Sequence, residues 1–350
     1  MCFNALRRFV ITKTATADDP RRTLLRQWID SIEAVAGCPI EPASTDASFR
    51  SYFRLHKGSK SFIVMDAPPP QEGCLPFVRI ADYLVSMKLS APRVIEADVE
   101  NGFLLLSDLG NKQYLDTLVD DASTADSLYA AAIDVLLVMQ RKGEAYQSSL
   151  PPYDDALLRF ELSLFRDYLC KNHLQLNLDD IAEKKWQSCC DVLVKNALNQ
   201  PQVFVHRDYH SRNLMVMSDG NPGILDFQDA VEGPFTYDLV SLLKDCYICW
   251  PAEQVRNWAL SYYRNLGSNT RERVDEKRFC RYFELMGVQR HLKAAGIFCR
   301  LNHRDGKSSY LNAIPRTLAY IVELDGRYEE LDFLIPLIRD RILPAWDSTK

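Results

Sequence analysis

The chain has 350 residues, of which 47% are hydrophobic and 25% charged, with a formal net charge of −5. This balance fits a folded globular protein long enough to bury a core without metals or cross-links, and it excludes a disordered chain or a small disulfide scaffold. The acidic sum, with no long basic stripe, argues against a nucleic-acid partner, and no window approaches 18 uninterrupted apolar residues.

Residues 1–20 read as an N-terminal extension in which no apolar leader segment follows Arg7 and Arg8. Leu24, Leu25, Trp28, Ile29 and Ile32 then recur at helical spacing over 21–36. From there the period shortens to that of strands. Residues 49–55 and 61–65 form a hairpin around Gly58, and Pro68-Pro69-Pro70 stops the second strand. A helix over 75–88 and two strands, 93–97 and 103–107, around Asn101-Gly102 complete a small lobe spanning 21–107. Residues 108–350 read as a larger lobe, with an apolar helix face at Leu128, Ala131, Ala132, Val135, Leu136 and Met139. Further helices are expected over 153–173, 181–199, 236–249, 252–266, 273–303 and 309–325. Only 203–205 and 223–225 look like buried strands there. The fold class is therefore α+β, a small antiparallel sheet lobe followed by a mainly helical one. Ten cysteines include the pair Cys246 and Cys249, but no second pair or nearby His completes a zinc site, so free thiols are expected.

The chemistry concentrates in His206-Arg207-Asp208-Tyr209-His210-Ser211-Arg212-Asn213, followed by Leu225-Asp226-Phe227-Gln228-Asp229. Asn213 stands five residues after Asp208, and Asp226 thirteen later. This matches the H-R-D-x-x-x-x-N loop and D-F-x segment of kinases. Phosphoryl transfer requires a carboxylate to orient the attacking hydroxyl and take its proton, the role read for Asp208. It also requires hard oxygen ligands for Mg²⁺, the role read for Asn213 and Asp226. A pair of Asp/Asn-rich turns is the alternative, but base, amide and second carboxylate in this order, each after an apolar run, disfavour it. Arg207 and Arg212 flank the base and either hold an acidic substrate group or brace the loop. His206 reads as a packed, hydrogen-bonded loop residue. Asp229 and Glu232 either bond substrate hydroxyls or form a solvated face.

The segment resembles the aminoglycoside-phosphotransferase branch of the kinase-like superfamily. Nothing like the Ala-Pro-Glu segment of protein kinases follows Asp226, whereas Tyr237-Asp238-Leu239 does; the resemblance implies that Asp238 buttresses the catalytic loop. Thr45–Arg50, Val64-Met65-Asp66-Ala67-Pro68-Pro69-Pro70, Phe103–Gly110 and Leu225–Ala230 are in turn similar to the anomeric sugar kinases of bacterial cell-wall recycling. That resemblance spans roughly 44–300. It implies a bilobal kinase-like fold binding ATP and Mg²⁺ in an inter-lobe cleft, and a small-molecule amino-sugar substrate. A cytoplasmic monomer without membrane or nucleic-acid partners is expected.

Two departures stand out. Met65 replaces the lysine that pairs the α/β-phosphates, and the phosphate-covering loop, 44–50, has no glycine. Ser48 and Arg50 on that loop are the nucleotide-binding candidates, with Arg50 supplying the positive charge, and the backbone near Leu106 and Asp108 is expected to meet the adenine. A kinase for another small alcohol and a nucleotide-binding pseudokinase remain the alternatives.

Overall fold

The computed structural model describes residues 19–45, 50–69, 72–219 and 222–348. Two compact units emerge. The smaller comprises the described part of 1–74 together with 95–108, and the larger comprises 75–94 and 109–348.

In the smaller unit, α1 (Pro20–Ser31) starts where the Asp19 carboxylate accepts the Arg21 N–H, with proline at the first turn. It ends five residues short of the expected 36, because Ile32 is extended. Five strands follow: β1 (Glu41–Thr45), β2 (Ser51–Lys57), β3 (Lys60–Asp66), β4 (Val94–Asp98) and β5 (Phe103–Ser107). They form one sheet in the order β1-β2-β3-β5-β4. The edge strand β1 was not foreseen: it is short, holds Pro42, and shifts register between Pro42 and Ser44, all features that weaken a strand pattern. Alternation places Leu55, Val64, Phe103 and Leu105 on the face that buries Leu25 and Ile29 of α1. Met65, paired with Tyr52 and Leu104, belongs to the opposite face and is fully buried. Gly102 (φ +75°) is required as glycine, since a Cβ there would lie 2.0 Å from the Ala67 carbonyl oxygen.

In the larger unit, α2 (Leu75–Ser86) buries Phe77, Ile80, Ala81 and Leu84, a helical stripe whose Phe77 ring lies 4.7 Å from Phe227. After α3 (Tyr114–Asp120) comes α4 (Ala125–Gln147). Residues 122–143 are long and apolar enough to cross a membrane (mean hydropathy 1.4), yet Leu128, Ala132, Leu136 and Met139 of the expected apolar face pack into the core of this unit, while Ala131 and Val135 at its margin are only half-buried. Next, α5 (Asp155–Leu164) continues as a π-helical segment through His173, and α6 (Asp180–Leu198) follows. Two small antiparallel ribbons interrupt the helices: β6 (Gln202–Val205) with β9 (Val231–Pro234), and β7 (Leu214–Met215) with β8 (Gly223–Ile224). The chain then forms α7 (Tyr237–Leu243), α8 (Ala252–Arg264), α9 (Ser268–Arg273), α10 (Glu276–Asp305) and α11 (Ile314–Val322), with short helical turns over 329–347.

The 30-residue α10 is the spine of this unit, buried at 17 positions including Gln289, Arg290, His291 and Lys293. It crosses the end of α5 at Gly296, where a Cβ would lie 2.3 Å from the Leu164 carbonyl carbon. That contact brings the polar residues of α10 beside those of α5.

Candidate active site

The loop of residues 206–213 leaves β6 and is held from below by two buried carboxylates. Asp238, in the first turn of α7, accepts the backbone N–H groups of His206 (2.7 Å) and Arg207 (2.9 Å). These two bonds tie the first turn of α7 to the start of the loop. Asp245 was missed by sequence reading; it accepts both the N–H (3.0 Å) and the hydroxyl (2.5 Å) of Ser211, as well as the Tyr247 N–H (2.9 Å). It reaches the loop because α7 stops at Leu243, six residues before the expected 249, and turns out of helical geometry at Lys244. No spacing rule could reveal it. A carboxylate 34 residues from its partner leaves no local pattern.

His206 is fully buried and ties the two halves of the site together. Its Nδ1 accepts the Asp208 N–H (3.2 Å), which leaves Nε2 to donate to the Leu225 carbonyl (3.0 Å), just before Asp226. Pairing of Leu214 with Ile224 and Met215 with Gly223 then brings Asn213 next to Asp226. Asn213 Nδ2 donates to the Asp208 carbonyl (3.0 Å) and to Asp226 Oδ2 (3.2 Å). Asn213 therefore links the backbone of Asp208 to the Asp226 carboxylate, which brings the three sequence candidates to one place. Arg207 (φ 78°) and Asp226 (φ 60°) both sit in the left-handed region, which concentrates backbone strain at this point.

The donor set beside Asp226 suits a hard cation. Gln228 Nε2 donates to Asp226 Oδ1 (2.8 Å), while its Oε1 is buried and without a hydrogen-bond partner. Carboxylate, amide and an orphaned amide oxygen offer the oxygen ligands that Mg²⁺ takes, with waters and phosphate oxygens completing its shell. Among the described residues no cluster of three or more His, Cys, Asp or Glu forms a metal site.

Burial would raise the pKa of Asp208, but Lys293, His210, Arg207 and Arg290 oppose it and hold the carboxyl below the usual range. Glu161 on α5 anchors two of these cations. Its Oε1 lies 2.6 Å from Arg207 Nη2 and 3.0 Å from Lys293 Nζ, and its Oε2 accepts from the Tyr153 hydroxyl and from Gln289 Nε2 (3.1 Å). Lys293 also donates to the Tyr237 hydroxyl (2.8 Å). Arg207 thus braces the loop against α5. Arg212 has a different environment: its guanidinium carbon lies 4.6 Å from the centre of the Tyr247 ring and 5.7 Å from that of Tyr310. Asp229 is exposed, and Glu232 accepts from Gln147 (3.3 Å).

In the smaller unit, Arg50 is buried and pairs with Glu72 (2.7 Å). Leu106 is buried in β5, paired with Ile63. The Asp108 carboxylate is engaged by Arg54 Nε (2.7 Å) and Nη2 (3.1 Å). Arg54 was not singled out in the sequence, although strand alternation puts it on the sheet face opposite α1. Ser48 lies outside the described residues.

The buried histidines predict an acid-sensitive fold. Burial pushes His206 down to about 4 and His291 to about 3 from an ordinary 6.5, and it also lowers His210. The unfolded chain therefore binds more protons below pH 6.5, and stability drains as pH falls through 4. Asp238, pushed up to about 7 by burial against the pull of its two N–H donors, works in the opposite direction but offsets only one of these protons. The urea midpoint is expected to start falling between pH 6.5 and 5, before ordinary carboxylates titrate. A midpoint constant over that interval would show that these rings titrate freely.

Residues 39–276 match the model of the phosphotransferase enzyme family. The N-acetylmuramate/N-acetylglucosamine kinase of Pseudomonas aeruginosa is 45% identical over 328 residues, covering 90% of this chain and 95% of that protein. Its namesake from Pseudomonas putida is 48% identical over 299 residues, covering 85% and 87%. Among solved structures, the GDP complex of wild-type aminoglycoside 2'-phosphotransferase-IIIa superposes with a TM-score of 0.58 at 15% identity, covering 85% of this chain and 98% of that one. The kinase-like fold is thus shared with a nucleotide-bound structure.

Proposed function

This chain belongs to the phosphotransferase enzyme family, and from that premise we propose that it transfers the γ-phosphoryl group of ATP to the anomeric hydroxyl of N-acetylmuramate and N-acetylglucosamine. The observation that supports it most directly is the convergence of Asp208, Asn213 and Asp226, with a base kept ionised by surrounding cations. The substrate assignment rests on the names of the relatives at 45–48% identity.

Asp208 orients the sugar hydroxyl and accepts its proton as the oxygen bonds to the γ-phosphorus. The bond from that phosphorus to the β,γ-bridging oxygen breaks, leaving ADP. Asn213, Asp226 and Gln228 would hold Mg²⁺, which when bound would neutralise charge on the phosphate oxygens. The rest of the catalysis is positioning, supplied by the backbone clamps of Asp238 and Asp245.

Arg50 is the cation offered to the nucleotide phosphates in place of a lysine at Met65. Its pairing with Glu72 holds a buried guanidinium in one orientation, as a phosphate-binding cation requires. Arg50→Gln is expected to raise the KM for ATP about tenfold or more, the cost of losing a charge-assisted hydrogen bond. An unchanged KM and kcat would remove Arg50 from that role.

The reading is tested by ADP release over N-acetylmuramate, N-acetylglucosamine, an aminoglycoside and choline, with NMR of the product. Turnover of the amino sugars to a 1-phosphate is expected. Turnover of choline or the aminoglycoside alone, or of nothing, would reject it.

A further inference from the structure

The cations around the catalytic loop fall into two groups. Arg207 and Lys293 are neutralised by Glu161. Arg212 and Arg290 have no carboxylate within ion-pair distance among the described residues. Arg290 is only 6% exposed; its Nη1 lies 3.7 Å from the Cys246 sulfur, and its Nε has no hydrogen-bond partner. His210 beside them also keeps an unpartnered, buried Nδ1. An unpaired buried guanidinium is costly unless something supplies the missing anion.

One turn gathers these groups. Asp245 grips Ser211 of the catalytic loop, Cys246 touches Arg290, and the Tyr247 ring lies against both Arg212 (4.6 Å) and His210 (5.4 Å). Both arginines also act through space on His210, which follows Asp208 by two residues, and Arg290 acts on Asp208 itself. The result is a positive, tyrosine-walled patch beside the base, all of it within the larger unit. The two nearest acids do not fill it: the Asp245 carboxylate already accepts three hydrogen bonds, and Asp208 is reserved for the hydroxyl.

Resting on the functional reading above, we infer that Arg212 and Arg290 form a carboxylate-binding subsite that takes the lactyl carboxylate of N-acetylmuramate. N-acetylglucosamine lacks that group, so the two sugars form a matched pair in which only one carries the recognised charge. Planar guanidinium forks suit a carboxylate, and the flanking tyrosines fix the Arg212 plane.

The experiment compares kcat/KM for both sugars in wild type, Arg212→Gln and Arg290→Met, with ATP saturating and then varied. The ratio of N-acetylmuramate to N-acetylglucosamine is expected to fall about 10–10²-fold, the worth of a hydrogen bond to a charged group, mainly through the KM of the acidic sugar. Arg212→Lys and Arg290→Lys should restore part of the ratio. Arg212 is half-buried on the loop, so its variants carry the test if Arg290→Met fails to fold. Equal losses for both sugars would make the arginines loop supports, and a loss confined to the KM for ATP would make the patch a phosphate site; either overturns the inference. Wild-type turnover of neither sugar would overturn the functional reading and this inference with it.

Discussion

Asp208→Ala is expected to lower kcat by about 10²–10⁴, the usual contribution of a positioned general base, while leaving the affinity for ATP close to that of wild type. The side chain meets both requirements of a base. It is held ionised at neutral pH by Lys293, Arg207 and Arg290, and its backbone is fixed by His206 Nδ1 and by the Asn213 side chain. Steady-state rates and calorimetric titration with nucleotide check the two halves separately. A variant with wild-type kcat would take the proton-accepting role away from Asp208. One that lost nucleotide affinity and rate together would show that the carboxylate supports the loop instead.

The largest loss of stability is expected from Glu161→Ala. Glu161 is 2% exposed and carries two cations, a tyrosine hydroxyl and a glutamine amide. Removing it strands Arg207 and Lys293 in the interior, and breaking a buried pair costs about 3–5 kcal/mol because an uncompensated charge remains. The same reasoning predicts that Glu161→Met combined with Lys293→Met recovers part of the loss, since fewer charges are then left unpaired. Urea denaturation of both variants checks this. A loss under about 1 kcal/mol for Glu161→Ala, the range of an exposed ion pair, would show that water reaches the cluster.

Elements with strong local signals were legible in the sequence. The hairpin of β2 and β3 needed only alternation and Gly58, and α2 only its apolar stripe. Elements whose signal is tertiary escaped. The ladder of β9 with β6 is set by pairing across more than twenty residues, so Val231–Pro234 shows no pattern of its own. The expected helix over 153–173 holds as far as Leu164 and then widens into π geometry, which periodicity does not distinguish. In the site, the proximity of Asp208, Asn213 and Asp226 was legible because their spacing in a loop and a hairpin is fixed by local geometry.

Sequence alone determined the chemical identities at the centre, Asp208, Asn213 and Asp226, and the order of sheet lobe before helical lobe, since both follow from short-range spacing and period. Tertiary structure decided what surrounds them. Only folding distinguishes Arg207, neutralised by Glu161, from Arg212, left between two tyrosines, and only the path of α10 brings Lys293 and Arg290 toward Asp208, more than eighty residues earlier. The physical reason is range: hydrogen-bonded turns and periodic burial act over a few residues, whereas charge and desolvation act through space wherever packing brings groups together.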